Sequence, residues 1–121
     1  MKEIDKILKK AEQEHNNLKH PYVGTEHLLL AILSLDNELT EKLKEYKLTY
    51  NKFKRKLIQI IGEGSSKSPY LLYTPMLRKV IDNAEKQSQE ITAQDLFDSI
   101  IQEGEGIAIR ILEAMKINIK V

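Results

Sequence analysis

The chain contains no cysteine. It can therefore form no disulfide, use no thiol nucleophile and hold no cysteine-ligated zinc. No apolar stretch approaches the roughly 18 residues that a membrane-spanning helix needs. The opening Met1-Lys2-Glu3-Ile4-Asp5 lacks the long apolar region of a secretion signal. Neither sign of charge is in excess. Lysine and arginine number 19 against 18 for aspartate and glutamate, a net charge of +1, whereas a dedicated nucleic-acid binder shows a basic surplus. There is no Gly-x-x-x-x-Gly-Lys-Ser/Thr loop to cradle a nucleotide phosphate. Also missing are two alternating apolar runs joined by a hairpin turn, so no strand pair is expected. From these absences we expect a soluble cytoplasmic protein that is not an enzyme and needs no cofactor.

What is present is a helical pattern. The 121 residues are 41% hydrophobic and 31% charged, enough for one core under a well-solvated surface. Ile4, Ile7, Leu8, Ala11 and Leu18 predict a first amphipathic helix, broken at His20-Pro21. Tyr22 to Leu33 joins an exposed polar head to the longest apolar run in the chain. Gly24 and Thr25 read as a helix start, and Leu28, Leu29, Ile32 and Leu33 fall on one face. Asp36-Asn37 signals a turn, and Leu39 and Leu43 a short third helix. Thr49 caps a fourth, with Phe53, Leu57, Ile60 and Ile61 at helical spacing. Gly62 to Pro69 reads as a linker, and the apolar Tyr70-Leu71-Leu72-Tyr73 should pack back on the body. Thr74-Pro75 is a strong helix start, continued by Leu77, Val80, Ile81 and Ala84. Thr92 and Asp95 form a capping box before Leu96, Phe97, Ile100 and Ile101. Gly104-Glu105-Gly106 turns the chain into a last helix containing Ala108, Ile111, Leu112 and Met115.

The two halves repeat one plan. Ala11-Glu12 matches Ala84-Glu85, and His27 to Leu33 matches Asp95 to Ile101. Leu43 and Leu48 match Leu112 and Ile117. The expected fold is all-α: a compact bundle of seven to eight helices in two pseudo-twofold-related repeats sharing one core. The single domain, 1–121, divides into repeat one over about 1–62, a linker over about 63–73 and repeat two over about 74–121. The second repeat stops where its fourth helix would begin. Neither half buries enough surface to fold alone.

Few residues suggest chemistry. Glu26 stands in the first turn of the second helix, near the positive end of its dipole, which is also an ordinary place for a glutamate. His15, His20 and His27 lack the spacing of a metal set, and no His-Glu-x-x-His is present. An enzyme using Glu26 and His27 as acid and base is the weakest reading, because no catalytic constellation surrounds them. Lys52-Phe53-Lys54-Arg55-Lys56 is a basic run whose charges form one solvated face. Contact with nucleic acid there is the alternative function. Tyr22 and Tyr70 to Tyr73 either line a peptide groove or close the core, and closure is favoured.

The tandem plan, with Tyr22-Val23-Gly24-Thr25-Glu26-His27-Leu28-Leu29-Leu30, Tyr73-Thr74-Pro75 and Glu103-Gly104-Glu105-Gly106-Ile107-Ala108, resembles the amino-terminal domain of the Clp chaperones, most closely the ClpC type. The resemblance covers nearly the whole chain. It implies a helical module that binds adaptor and client proteins ahead of AAA+ ATPase rings feeding the Clp protease. The chain ends before such ATPase modules, and its Met1 and missing last helix lead us to expect a stand-alone or shortened relative. The resemblance also implies a phosphoarginine site at each Gly-Thr-Glu-His motif. The glutamate would take the guanidinium, and N–H and hydroxyl groups at the helix start, such as those of Thr25, the phosphate. The first motif is intact at Glu26. The second carries Gln94, uncharged, with Asp95 about 100° further round the helix, so the second site should be weakened or lost. The residues expected to bind are Thr25, Glu26, Gln94 and Tyr22. The expected partners are an adaptor, a client protein or a Clp ATPase.

Overall fold

A computed structural model describes residues 2–65 and 71–119. Seven helices occupy these residues: α1 Glu3–Asn17, α2 Thr25–Leu33, α3 Glu38–Lys44, α4 Tyr50–Ile61, α5 Pro75–Gln87, α6 Ala93–Glu103 and α7 Ile107–Ala114. Among them the extended pairing is a single isolated parallel bridge between Val23 and Tyr73. The fold is all-α, as the pattern predicts. The starts follow local chemistry. Asn37 and Thr40 bond reciprocally at the head of α3, and Thr92 and Asp95 do the same for α6. Thr49 accepts from Lys52 N–H and Thr74 from Leu77 N–H, with Pro75 opening α5.

Helix α2 is the axis of the bundle. All nine of its residues are buried, and it touches α1, α4, α5, α6 and α7. This corrects the expectation of one apolar face below an exposed polar head. Leu30 and Ala31 are as enclosed as Leu28 and Leu29, and a helix apolar all round belongs inside. The head is buried as well, because the start of α7 and the end of α1 close over it. A second correction concerns α4. Phe53 and Leu57 are fully buried, but Ile60 and Ile61 are 45% and 41% exposed. They share the helical spacing, yet the last turn of α4 runs past the core.

Beside the apolar packing of α2 against α5, α6 and α7, specific polar contacts join the halves. Val23 N–H donates to Leu72 O (2.8 Å) and Thr74 N–H to Val23 O (2.9 Å). The Tyr73 hydroxyl donates to Glu12 Oε2 at 2.6 Å. The segment after the linker therefore does return to the body, through its backbone and Tyr73. The Leu71 and Leu72 side chains stay about half exposed. Tyr70 and the linker residues Ser66 to Pro69 lie outside the described residues, as do Lys120 and Val121 at the end of the tail. Two helices of the second half are capped from the first. Glu3 Oε2 accepts from Ala93 N–H (2.6 Å) at the start of α6. Thr25 Oγ1 accepts from Ala108 N–H (3.2 Å) at the start of α7. These side chains satisfy first-turn donors that the helices themselves leave unpaired.

The ends of α3 and α7 are alike. Lys47 (φ 63°) and Lys116 (φ 59°) are both left-handed. Beyond them, Leu48 N–H reaches Leu43 O and Ile117 N–H reaches Leu112 O, each at 3.0 Å. This is the termination that glycine usually provides. Lys19 (φ 56°) closes α1 in a similar way, with His20 N–H on His15 O. A side chain in this region is strained, so Lys47→Gly should raise stability in urea unfolding by about 0.5–1 kcal/mol. Lys42→Gly, inside α3, should lower it by about 1 kcal/mol. A loss of stability in both variants would contradict the strain at Lys47.

Candidate functional site

The intact motif forms a buried polar knot at the start of α2. The Glu26 side chain is 5% exposed and folds back over Gly24. A Cβ built on Gly24 would lie 2.1 Å from Glu26 Oε1. Gly24 has an extended backbone, so glycine is needed here for space and not for an unusual φ. Sequence reasoning placed Gly24 as a helix start and missed this. Burial raises the Glu26 pKa from 4.5 to about 7, against a smaller opposing effect of its own backbone N–H. Glu26 Oε1 has no hydrogen-bond partner among the described residues. A buried carboxylate oxygen left in this state is costly and is primed to accept a donor.

Beside it runs a relay of histidines. Gly24 N–H donates to His27 Nδ1 at 2.9 Å, which leaves the proton of neutral His27 on Nε2. That atom lies 2.8 Å from His20 Nδ1, so His27 donates and His20 accepts. His20 Nε2 is then protonated and donates to Gly62 O at 2.8 Å. Both tautomers follow from the first bond. His27 is fully buried, and its pKa falls from 6.5 to about 3, mainly through burial and then through repulsion from His20 and His15. Adding a proton to the relay would set two donors face to face or break the bond to Gly24. His27 is thus a hydrogen-bonding residue. His15 packs edge-on against its ring, and neither His15 nitrogen has a partner among the described residues. No group of three or more His, Asp or Glu suited to a metal occurs among the described residues.

The four residues expected to bind do not share one environment. Thr25 is buried, and its oxygen caps α7. Gly106, the residue before α7, must be glycine. Its φ is +103°, and a Cβ there would come within 3.1 Å of Thr25 Oγ1 and Met76 Cγ. Tyr22 is 52% exposed, whereas Tyr73 is partly buried against the core and bonds Glu12. Gln94 is exposed and donates to Asp98 Oδ1 at 2.7 Å. Near it, the Glu3 carboxylate already occupies Ala93 N–H. The two heads are therefore unlike, one buried with an unused carboxylate oxygen and the other open with an internal anion at its helix start.

The basic run is not one face. Lys54 turns toward Glu14 (3.6 Å) and Tyr50 (3.1 Å), while Lys52, Arg55 and Lys56 line a cleft on another side of α4. Glu14, 1% exposed, also accepts from the Tyr50 hydroxyl and lies 3.7 Å from Lys10. Sequence reasoning missed Glu14, although a signal existed. It sits on the Ile7, Ala11, Leu18 stripe, where an acid must find a buried partner.

Comparison with known proteins agrees with this architecture. Residues 2–95 match the Clp repeat (R) N-terminal domain. The chain belongs to that family. It is 28% identical over 120 residues to the ATP-dependent Clp protease ATP-binding subunit ClpC of Staphylococcus saprophyticus, covering 94% of this chain and 15% of that protein. It is 32% identical over 121 residues to the ATP-dependent Clp protease ATP-binding subunit ClpA homolog of Cyanidium caldarium, covering 94% of this chain and 14% of that protein. The chain thus spans about a seventh of the length of these relatives.

The two shifted groups oppose each other in pH dependence. The depressed His27 pKa gives stability that is complete above 6.5 and lost as pH falls toward 3. The raised Glu26 pKa gives stability that is complete below 4.5 and lost as pH rises through about 7. Each slope is about 1.4 kcal/mol per pH unit where it acts. Glu26→Gln removes one of them. Thermal unfolding followed by circular dichroism should show the variant gaining on the wild type as pH rises from 4.5 to 7. A pH-independent difference would mean that Glu26 is not a buried acid.

Proposed function

Taking membership of the Clp repeat N-terminal domain family as the premise, we propose that this chain is a non-catalytic protein-binding module. It takes an arginine-derived group, phosphoarginine, at the Gly24-Thr25-Glu26 head. The observation that carries this reading is the unpartnered, buried Glu26 Oε1. A guanidinium is a planar cation with forked donors, and it suits a carboxylate already withdrawn from water. With only 5% of Glu26 exposed, the turn at Gly24 must move outward to admit a ligand. The carboxyl group, with its pKa near 7, must release its proton as the cation enters. The partner bearing the group is an adaptor, a client protein or a Clp ATPase.

Binding is proposed to be one-sided. Gln94 carries no charge and is engaged by Asp98, and Glu3 holds the first free N–H of α6. Nucleic acid is not the favoured ligand, because Lys54 is turned away from the rest of the basic run.

Calorimetric titration with free phosphoarginine tests the proposal. The wild type should bind one equivalent, with affinity falling up to about tenfold per pH unit below 7 as Glu26 takes up its proton. Glu26→Gln should abolish binding while keeping the fold, and Gln94→Glu should strengthen it. Gly24→Ala should weaken it by pushing the carboxyl aside. Equal binding by wild type and a folded Glu26→Gln would overturn the proposal and leave the family assignment standing.

A further inference from the structure

We infer that the cleft between α4 and the chain ends of α3 and α7 binds a short acidic peptide segment of a partner protein. The inference is independent of Glu26. The cleft is open and measures about 590 Å³. Five cations line it, Lys47, Lys52, Arg55, Lys56 and Lys116, and no carboxylate does. In a chain of net charge +1, that is strong segregation. None of the five has an ion-pair partner among the described residues, whereas Lys54 on the same helix is withdrawn to Glu14. Clustered like charges repel one another, and an incoming anion relieves that cost.

The geometry selects the kind of anion. Lys47 and Lys116 each stand just past a helix end, on backbones held left-handed by the bond that closes the turn. Two of the five charges therefore project from fixed points. Between the cations lie apolar elements, the half-buried Met115 and Ile117 and the exposed Tyr46. A floor of this type takes aliphatic side chains alternating with carboxylates. The exposed Glu45 and Glu113 adjoin Tyr46 and Ala114 of the lining and limit the positive field to a short span. A nucleic acid would need a longer basic track.

Fluorescence anisotropy with a labelled Glu-Leu-Glu-Glu-Leu-Glu peptide tests the assignment, with amide chemical shifts to locate the site. Binding should perturb residues 46–59 and 114–117 and be lost at about 0.5 M salt, where charges are screened within a few ångströms. Lys52→Glu with Arg55→Glu should weaken it at least about tenfold. Lys6→Glu with Lys9→Glu, an equal charge change on α1, should alter it less than about twofold. Absence of binding, equal loss in both double variants, or perturbations elsewhere would overturn the inference. So would tighter binding of a single-stranded oligonucleotide of equal charge, which would reassign the cleft to nucleic acid.

Discussion

Complete burial of α2 is the constraint from which the rest of the architecture follows. A helix enclosed on every side cannot send its first-turn donors or its polar side chains to water. Each group at its head must therefore be answered from within the protein. His27 answers Gly24, His20 answers His27, and the end of α4 answers His20 through Gly62 O. Thr25 turns outward from α2 to cap α7. One carboxylate oxygen on Glu26 is left over. The Gly24-Thr25-Glu26-His27 head, the proposed ligand site, is also the keystone of the packing.

Much of this was legible in the residues. The starts of α4, α5 and α6 were readable because Thr49, Thr74 and Thr92 cap backbone groups three residues on, while Asn37, read only as part of a turn, proved to cap α3. The apolar spacing marked most of the core correctly. Two features were not readable, because they depend on elements distant in the chain. Burial of the Glu26 head requires the start of α7, some 80 positions on, to close over it. Exposure of Ile60 and Ile61 depends on where the core ends, and periodicity does not report that. Lys54 and Arg55 are adjacent in sequence, yet one reaches a buried acid on α1 and the other faces a cleft. Glu14 is an intermediate case. Its place on an apolar stripe announced a buried acid, while its partners Tyr50 and Lys54 came from another helix.

The repeat preserves helices more faithfully than helix heads. α3 and α7 end on the same left-handed lysine and the same closing bond. α2 and α6 share an apolar run, but one begins with a histidine relay and the other with a Thr92–Asp95 box. A shared core tolerates little variation in apolar volume. A helix head has only to satisfy its donors, by whatever groups are at hand. That freedom lets two copies of one motif differ in chemistry without a change of fold.

The caps donated by Glu3 and Thr25 have a consequence for folding. They join residues 90 and 83 positions apart in the chain. First-turn amides normally open readily, since they depend on local partners or on water. The Ala93 and Ala108 amides are instead held by side chains from the opposite half. Thr25 is buried, so release of the Ala108 amide is tied to separation of the halves and not to fraying of α7. Glu3, by contrast, is exposed at the first residue of α1 and leaves the Ala93 amide open to fraying there. The beginning of α7, usually a loose point of a bundle, becomes a reporter of its global unfolding.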